Sequence, residues 1–188
     1  MDKYASFADL QRAELACHFA VTYEDRSQSG AIVIAPHGGK IEALTSEIAR
    51  RIASDRFSYY SFEGQKPDTN RDLHITSHNF DEPTAMALVK KHRWVVAIHG
   101  CSGEQPRVLL GGRDISLRSD IAQRLTALGI ASEDQGHKFP GMEANNICNR
   151  GSRSAGVQIE LTMPFRTSYA ISCLISATHQ ALLVCTGL

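Results

Sequence analysis

Apolar and polar positions follow two rhythms along this chain. Short, nearly unbroken apolar runs read as buried strands. They are Ala31-Ile32-Val33-Ile34-Ala35, Trp94-Val95-Val96-Ala97-Ile98-His99, Arg107-Val108-Leu109-Leu110 and Gly156-Val157-Gln158-Ile159-Glu160-Leu161-Thr162. Phe57 to Phe62 is aromatic-rich and strand-like, and His18 to Tyr23 and Leu73 to Thr76 are shorter strand candidates. Between these runs, apolar residues recur at helical spacing. Phe7, Leu10 and Leu15 mark a short helix ending near Cys17. Leu44, Ile48 and Ile52 mark a helix that Glu42 opens and that ends near Ala53. Asp81 and Pro83 start a third, as N-cap and first-turn residues, running to about Lys91. Asp114 caps a fourth, carrying Leu117, Ile121, Leu125 and Leu128, which Gly129 ends. Beyond Arg166 there is no charged residue, but Ser172, Ser176, Thr178, His179 and Gln180 interrupt the run, so it reads as a packed terminal helix rather than a membrane span. Alternating strands and helices predict a mainly parallel α/β sheet covered by helices, in one domain over residues 1–188.

Chemistry collects where the strands end. Pro36 is expected to stop the first apolar run, because proline cannot donate to the ladder, and Gly38-Gly39 then allows a tight turn. His37 therefore leaves a strand tip, and Glu42 stands at the start of the next helix. His99 follows a second apolar run, also as His-Gly, and Glu160 lies in the last strand. In a parallel sheet these strand ends share one edge, where α/β proteins bind ligands. Two imidazoles and a carboxylate (His37, Glu42, His99) are a zinc-type donor set that leaves a fourth position for water. Such a site needs a carboxylate outside the ligand set to take the proton from water and pass it on. Glu160 suits that role, since a charge within an apolar strand otherwise needs a partner. Each residue also has a plain structural reading. A strand-end histidine can be a satisfied polar residue, Glu42 a first-turn carboxylate favoured by the helix dipole, and Glu160 a buried ion-pair partner. It is their convergence that points to metal.

Composition narrows the partners. Lysine plus arginine and aspartate plus glutamate number 20 each, so nothing favours a nucleic-acid or membrane surface. The five cysteines are scattered and form no CxxC pair, which fits a reducing, cytoplasmic compartment. Met1-Asp2-Lys3-Tyr4 has no apolar h-region of a secretory signal. Arginines suggest an anionic substrate, because guanidinium binds carboxylate bidentately. Arg150, in the polar loop Asn145 to Gly151 with Asn146, is the first candidate, and Arg113, after Gly111-Gly112, the second. His74 is a further candidate substrate contact. Cys101, two residues beyond His99, reads as a packed thiol, with a thiolate nucleophile as the competing reading.

Several segments together resemble the phage-type poly-γ-glutamate hydrolases, a family often labelled phage-related replication proteins. They include Pro36-His37-Gly38-Gly39-Lys40-Ile41-Glu42, Tyr59 to Gly64, Leu73-His74-Ile75-Thr76-Ser77, Phe80-Asp81-Glu82-Pro83, Ile98-His99-Gly100-Cys101, Asn146 to Gly151 and Gly156 to Leu161. The resemblance covers roughly residues 1–166; the charge-free tail from Thr167 departs from it. It implies a zinc carboxypeptidase-like, open, mostly parallel mixed sheet with helices on both faces. It implies one zinc on His37, Glu42 and His99, with Glu160 as general base. It also implies cleavage of γ-glutamyl amide bonds, in a polyanionic γ-glutamyl polymer or a small γ-glutamyl substrate, which agrees with the substrate contacts read above at Arg150, Arg113, Asn146 and His74; a monomer is expected. The alternatives are a small-molecule N-acyl amino acid amidohydrolase, a cysteine hydrolase built on Cys101 and His99, and a non-enzymatic anion-binding module.

Overall fold

A computed structural model describes residues 2–188. Its strands are β1 (Phe19–Glu24), β2 (Ala31–Gly39), β3 (Ser58–Gly64), β4 (Trp94–Cys101), β5 (Val108–Gly111) and β6 (Val157–Thr162). They form one sheet in the order β1-β3-β2-β4-β6-β5. The four inner strands run parallel, and β1 and β5 join the edges antiparallel. The mixed, mostly parallel sheet expected from the sequence is therefore present.

Burial on both faces explains the near-continuous apolar runs. Helices α2 (Thr45–Ala53), α4 (Ile115–Ala127) and α6 (Ile171–Thr186) cover one face, packing Ile48, Ile52, Leu117, Ile121, Leu174 and Leu182 onto Val33, Val96, Ile98 and Ile159. Helices α1 (Phe7–Ala13) and α3 (Pro83–Lys91) cover the other, with Phe7, Leu10, Leu88 and Val89 against Ile32, Ile34, Tyr60 and Phe62. A short α5 (Met163–Arg166) follows β6. The terminal helix packs as expected, and no helix among the described residues is long and apolar enough to cross a membrane.

Four local expectations are corrected. Strand β2 does not stop at Pro36. It continues to Gly39 through a bulge, taking three steps from Ala35 to Gly38 while β3 takes two from Ser61 to Glu63; a bulge is one of the few places where a strand tolerates proline. Gly38 is needed there, since a Cβ would lie 3.2 Å from the Phe62 carbonyl and closer still to Ser61. Glu42 does not open α2, which starts at Thr45 after Leu44 in a left-handed conformation (φ 73°); the intervening turn is closed by the Glu42 N–H donating to the His37 carbonyl at 2.9 Å. The run Leu73 to Thr76 is not a strand. A 3-10 turn over Asn70–Leu73 takes in its first residue, and its apolar residues Leu73 and Ile75 pack individually into the core rather than along a ladder. Finally, Glu82 rather than Asp81 caps α3, accepting from the Thr84 and Ala85 N–H groups. Asp81 instead accepts the Phe7 N–H at 2.6 Å and so ties α1 to the same loop.

One buried polar link makes the fold acid-sensitive. His92, fully buried, donates from Nδ1 to the Leu88 carbonyl at 2.7 Å and accepts at Nε2 from the Ser58 hydroxyl at 2.8 Å. Burial lowers its pKa below the usual 6.5, so the folded protein holds it neutral where the unfolded chain takes a proton. Its contribution to stability is present above about pH 6.5 and is lost as pH falls through the lower, folded value. Urea midpoints at pH 7 and pH 5 are expected to converge in His92→Gln relative to the parent. An unchanged gap would show that His92 is not the titrating group.

Candidate active site

The carboxyl ends of β2, β4 and β6 deliver the site's side chains. Parallel pairing sets His99 directly opposite Glu160, so the two lie side by side on one face. The β2 bulge brings His37 beside them, and the turn after β2 folds Glu42 back under His37. His37, Glu42 and His99 are buried, and one donor atom of each lies within 4.8 Å of the others, an arrangement able to hold a metal ion. His37 Nδ1 is 3.3 Å and His99 Nδ1 3.7 Å from Glu42 Oε2, and the two Nδ1 atoms are 3.1 Å apart.

Surrounding bonds orient these donors. His37 Nε2–H donates to the Ile75 carbonyl at 2.7 Å, which turns Nδ1 toward Glu42 and His99 as a lone pair when the ring is neutral and as a donor to Glu42 when it is charged. Ser77 Oγ lies 3.4 Å from His99 Nε2. The Gly100 N–H donates to Glu42 Oε2 at 2.8 Å. Burial opposes ionisation of Glu42, but the charges and hydrogen bonds of His37 and His99 outweigh it and hold the carboxyl well below the usual range. Behind this layer, Gly100 rests on the Arg166 guanidinium, where a Cβ would sit 2.7 Å from Cζ. Arg166 is buried and donates to the Ala43 carbonyl, placing a cation beneath two carboxylates.

Glu160 is the second carboxylate. It accepts from Gln158 Nε2 at 3.1 Å, and Gln158 in turn accepts from Asn146 Nδ2 at 2.9 Å. Burial, followed by the charge on Glu42, pushes its pKa up to about 8. Two neighbouring carboxylates are thus driven apart, one firmly ionised and one poised near neutrality, a pattern found where acid and base roles are divided.

These residues open into a pocket of about 550 Å³ that also includes His74, Asn146, Arg71 and Lys138. Of the residues singled out from the sequence, His37, Glu42, His99, Glu160, Asn146 and His74 meet here. Arg150 and Arg113 do not line it. Arg150 donates to the carbonyls of Asn145 and His78, and Arg113 to the Met142 carbonyl. Their guanidinium groups hold loops together, which sequence spacing does not reveal. The cations that do face the pocket are Arg71, in the 3-10 turn before His74, and Lys138, on the loop after α4. The position of Arg71 only three residues before a candidate histidine was an available hint; Lys138 carried none. Cys101 also lines the pocket, but burial and then the Glu160 charge push its thiol up to about 11. That is the opposite of an activated nucleophile.

A sequence model of the poly-gamma-glutamate hydrolase family matches residues 4–179. Among curated proteins of Bacillus subtilis (strain 168), the chain is 36% identical to the UPF0714 protein YmaC over 170 residues, covering 89% of the chain and 72% of YmaC. It is 35% identical to YndL over 169 residues, covering 89% of the chain and 66% of YndL. The structure of a bacteriophage poly-gamma-glutamate hydrolase superposes with a TM-score of 0.93 at 29% identity, covering all of this chain and 99% of that one. A zinc-free apo form of YndL superposes with a TM-score of 0.90 at 30% identity, over 97% and 98% of the two chains. The uncharged tail, which departed from the resemblance, falls within the superposed fold.

Proposed function

The chain belongs to the poly-gamma-glutamate hydrolase family, and from that premise we propose that it hydrolyses γ-glutamyl amide bonds, most naturally in poly-γ-glutamate, with a single zinc on His37, Glu42 and His99. The observation that carries this reading is the crowding of acceptors. With both imidazoles neutral, as metal ligation requires, the bare Nδ1 of His37 faces the Glu42 carboxylate at 3.3 Å. Two acceptors at that distance repel unless a proton or a metal ion lies between them, and ligation puts the metal where the proton of a charged His37 would otherwise be. Two nitrogens and one oxygen suit zinc and leave a position open, as in catalytic zinc sites. The zinc-free form of YndL, a relative at 35% identity, supports the same choice of metal. Bound there, zinc supplies a Lewis acid that polarises a carbonyl and lowers the pKa of water.

The chain's own residues do the rest. Glu160 takes a proton from the attacking water and delivers it to the departing amine. Gln158 and Asn146 hold the Glu160 carboxylate in place. Arg71 and Lys138 receive glutamyl carboxylates at the pocket rim, a role that neither Arg150 nor Arg113 can reach from where their guanidinium groups are bound. Arg71→Ala and Lys138→Ala are each expected to raise KM for the polymer about tenfold with kcat little changed, the loss of one charge-assisted contact. Equal kinetics to the parent would remove these residues from substrate binding.

The direct test is metal content of the purified chain beside His37→Ala, with hydrolysis of poly-γ-glutamate and of small N-acyl glutamates measured on both. One zinc per chain, absent from the variant, together with polymer cleavage, is expected. No metal in the parent after incubation with zinc overturns the proposal, and cleavage of the small compounds alone moves the substrate to the acyl-amino-acid class.

A further inference from the structure

The segment before α1 reaches the pocket rim at Asp2 and is fastened at Asp2, Lys3 and Tyr4. Asp2 accepts from the Thr76 N–H through Oδ2 at 2.6 Å and from His74 Nδ1–H through Oδ1 at 2.7 Å. Lys3 Nζ donates to Asp72 at 2.9 Å and the Tyr4 hydroxyl to Glu14 at 2.6 Å. Burial disfavours the Asp2 carboxylate, but these bonds from Thr76 and His74 outweigh it and bring its pKa to about 2. It is therefore an acceptor at any working pH.

This bond decides what His74 offers the pocket. With Nδ1–H given to Asp2, the neutral ring carries no proton on Nε2. One ring face lies over His37, with centroids 4.0 Å apart and planes inclined by 34°. Only Nε2 is left facing the cavity. It lies 3.7 Å from Glu42 Oε1, too far for a hydrogen bond, and both atoms are acceptors. Arg71 Nη1 already stands 3.8 Å from the same Glu42 oxygen, so His74 Nε2 is the acceptor left for a donor entering from outside.

We propose that Asp2 is a positioning residue, which by holding the Nδ1 proton of His74 presents a bare Nε2 to accept an amide N–H of the substrate chain. The substrate part of this inference rests on the amide-hydrolase reading above. The bond forms and breaks without proton transfer, so His74 orients the chain while Glu160 handles the proton. A substrate lacking that N–H, or a histidine free to swap tautomers, loses the alignment.

Two measurements on the full chain test it. The first is the ¹⁵N signature of the His74 ring. We expect a protonated Nδ1 and a bare Nε2 in the parent, and a mixture of tautomers in Asp2→Ala. A protonated Nε2 in the parent, or a tautomer indifferent to Asp2, overturns the proposal whatever the enzyme does. The second is a double-mutant cycle on polymer hydrolysis, with zinc content followed alongside. Asp2→Ala and His74→Ala are each expected to lower kcat/KM about 10–100-fold with zinc retained, and the double variant to be no worse than His74→Ala. Asp2→Asn should not recover the loss, because its single amide oxygen cannot accept from both the Thr76 N–H and His74 Nδ1–H, and an NH2 facing Nδ1 favours the tautomer protonated on Nε2; full activity in this variant overturns the proposal. Effects that multiply, or loss of zinc from Asp2→Ala, overturn it. A parent that binds zinc but cleaves no γ-glutamyl bond overturns the functional reading and the substrate role together, while the tautomer still decides what Asp2 does.

Discussion

Glu160→Gln is expected to lower kcat by about 10²–10⁴-fold, the usual worth of a general base, and to leave the zinc content at one per chain. The substitution is nearly isosteric. Its amide oxygen can still accept from Gln158, so the network through Asn146 survives. What disappears is the ability to hold a proton between the two halves of the reaction. The raised pKa of Glu160 sharpens the expectation. In the metal-free site burial and Glu42 push it up to about 8; a zinc ion held by Glu42 would offset that charge and lower the carboxyl toward the ionised form that takes the proton of water. If zinc leaves with the carboxylate, Glu160 is a ligand and the assignment of roles is wrong.

Removing the metal is expected to have a comparable effect on activity and a separate one on stability. A chelator should abolish hydrolysis and lower Tm, and zinc at about a thousand times its dissociation constant should restore about 4 kcal/mol, or about 8–16 °C for a chain of this size. The reason lies in the same crowding. Without a cation, the folded state keeps an ionised Glu42 and two imidazole donors packed together in a buried space. His99→Ala should start with the lower Tm, hold no zinc, hydrolyse nothing and gain little from added metal. A parent indifferent to zinc would remove the metal site, and a His99→Ala variant that still responds fully would remove His99 from it.

Most of the site was legible because strand ends announce themselves. His37 and His99 each follow an apolar run and precede a glycine, and Glu160 interrupts another run, so parallel pairing brings the three strand ends to one edge and the β2 bulge completes the meeting. What escaped depends on contacts between distant segments. Pro36 looked like a stop because proline lacks a donor, and only pairing with β3 turns it into a bulge. Leu73 to Thr76 has strand-like composition, but no neighbouring strand is available to it. Arg150 stands in a polar loop and Arg113 follows a strand end, yet their guanidinium groups are committed to the carbonyls of Asn145 and His78 and of Met142, which spacing does not reveal. Asp2 gave no signal at all, since its partner His74 lies 72 residues away.

The extra residue in β2 makes this stretch unusually sensitive to changes of length. Side chains alternate faces along a strand, so a shift of one position sends each to the other side. Deleting Pro36 would restore even pairing with β3 and remove the bulge; His37, now alternating directly with Ala35, would keep the face of His99 but lose the extra residue that sets its distance from it. Inserting a residue after Gly38 would displace Glu42 from its turn. Substitutions here are graded in their effects. Insertions and deletions are not, and chains that share this chemistry should differ between Ala35 and Glu42 in residue type but hardly in number.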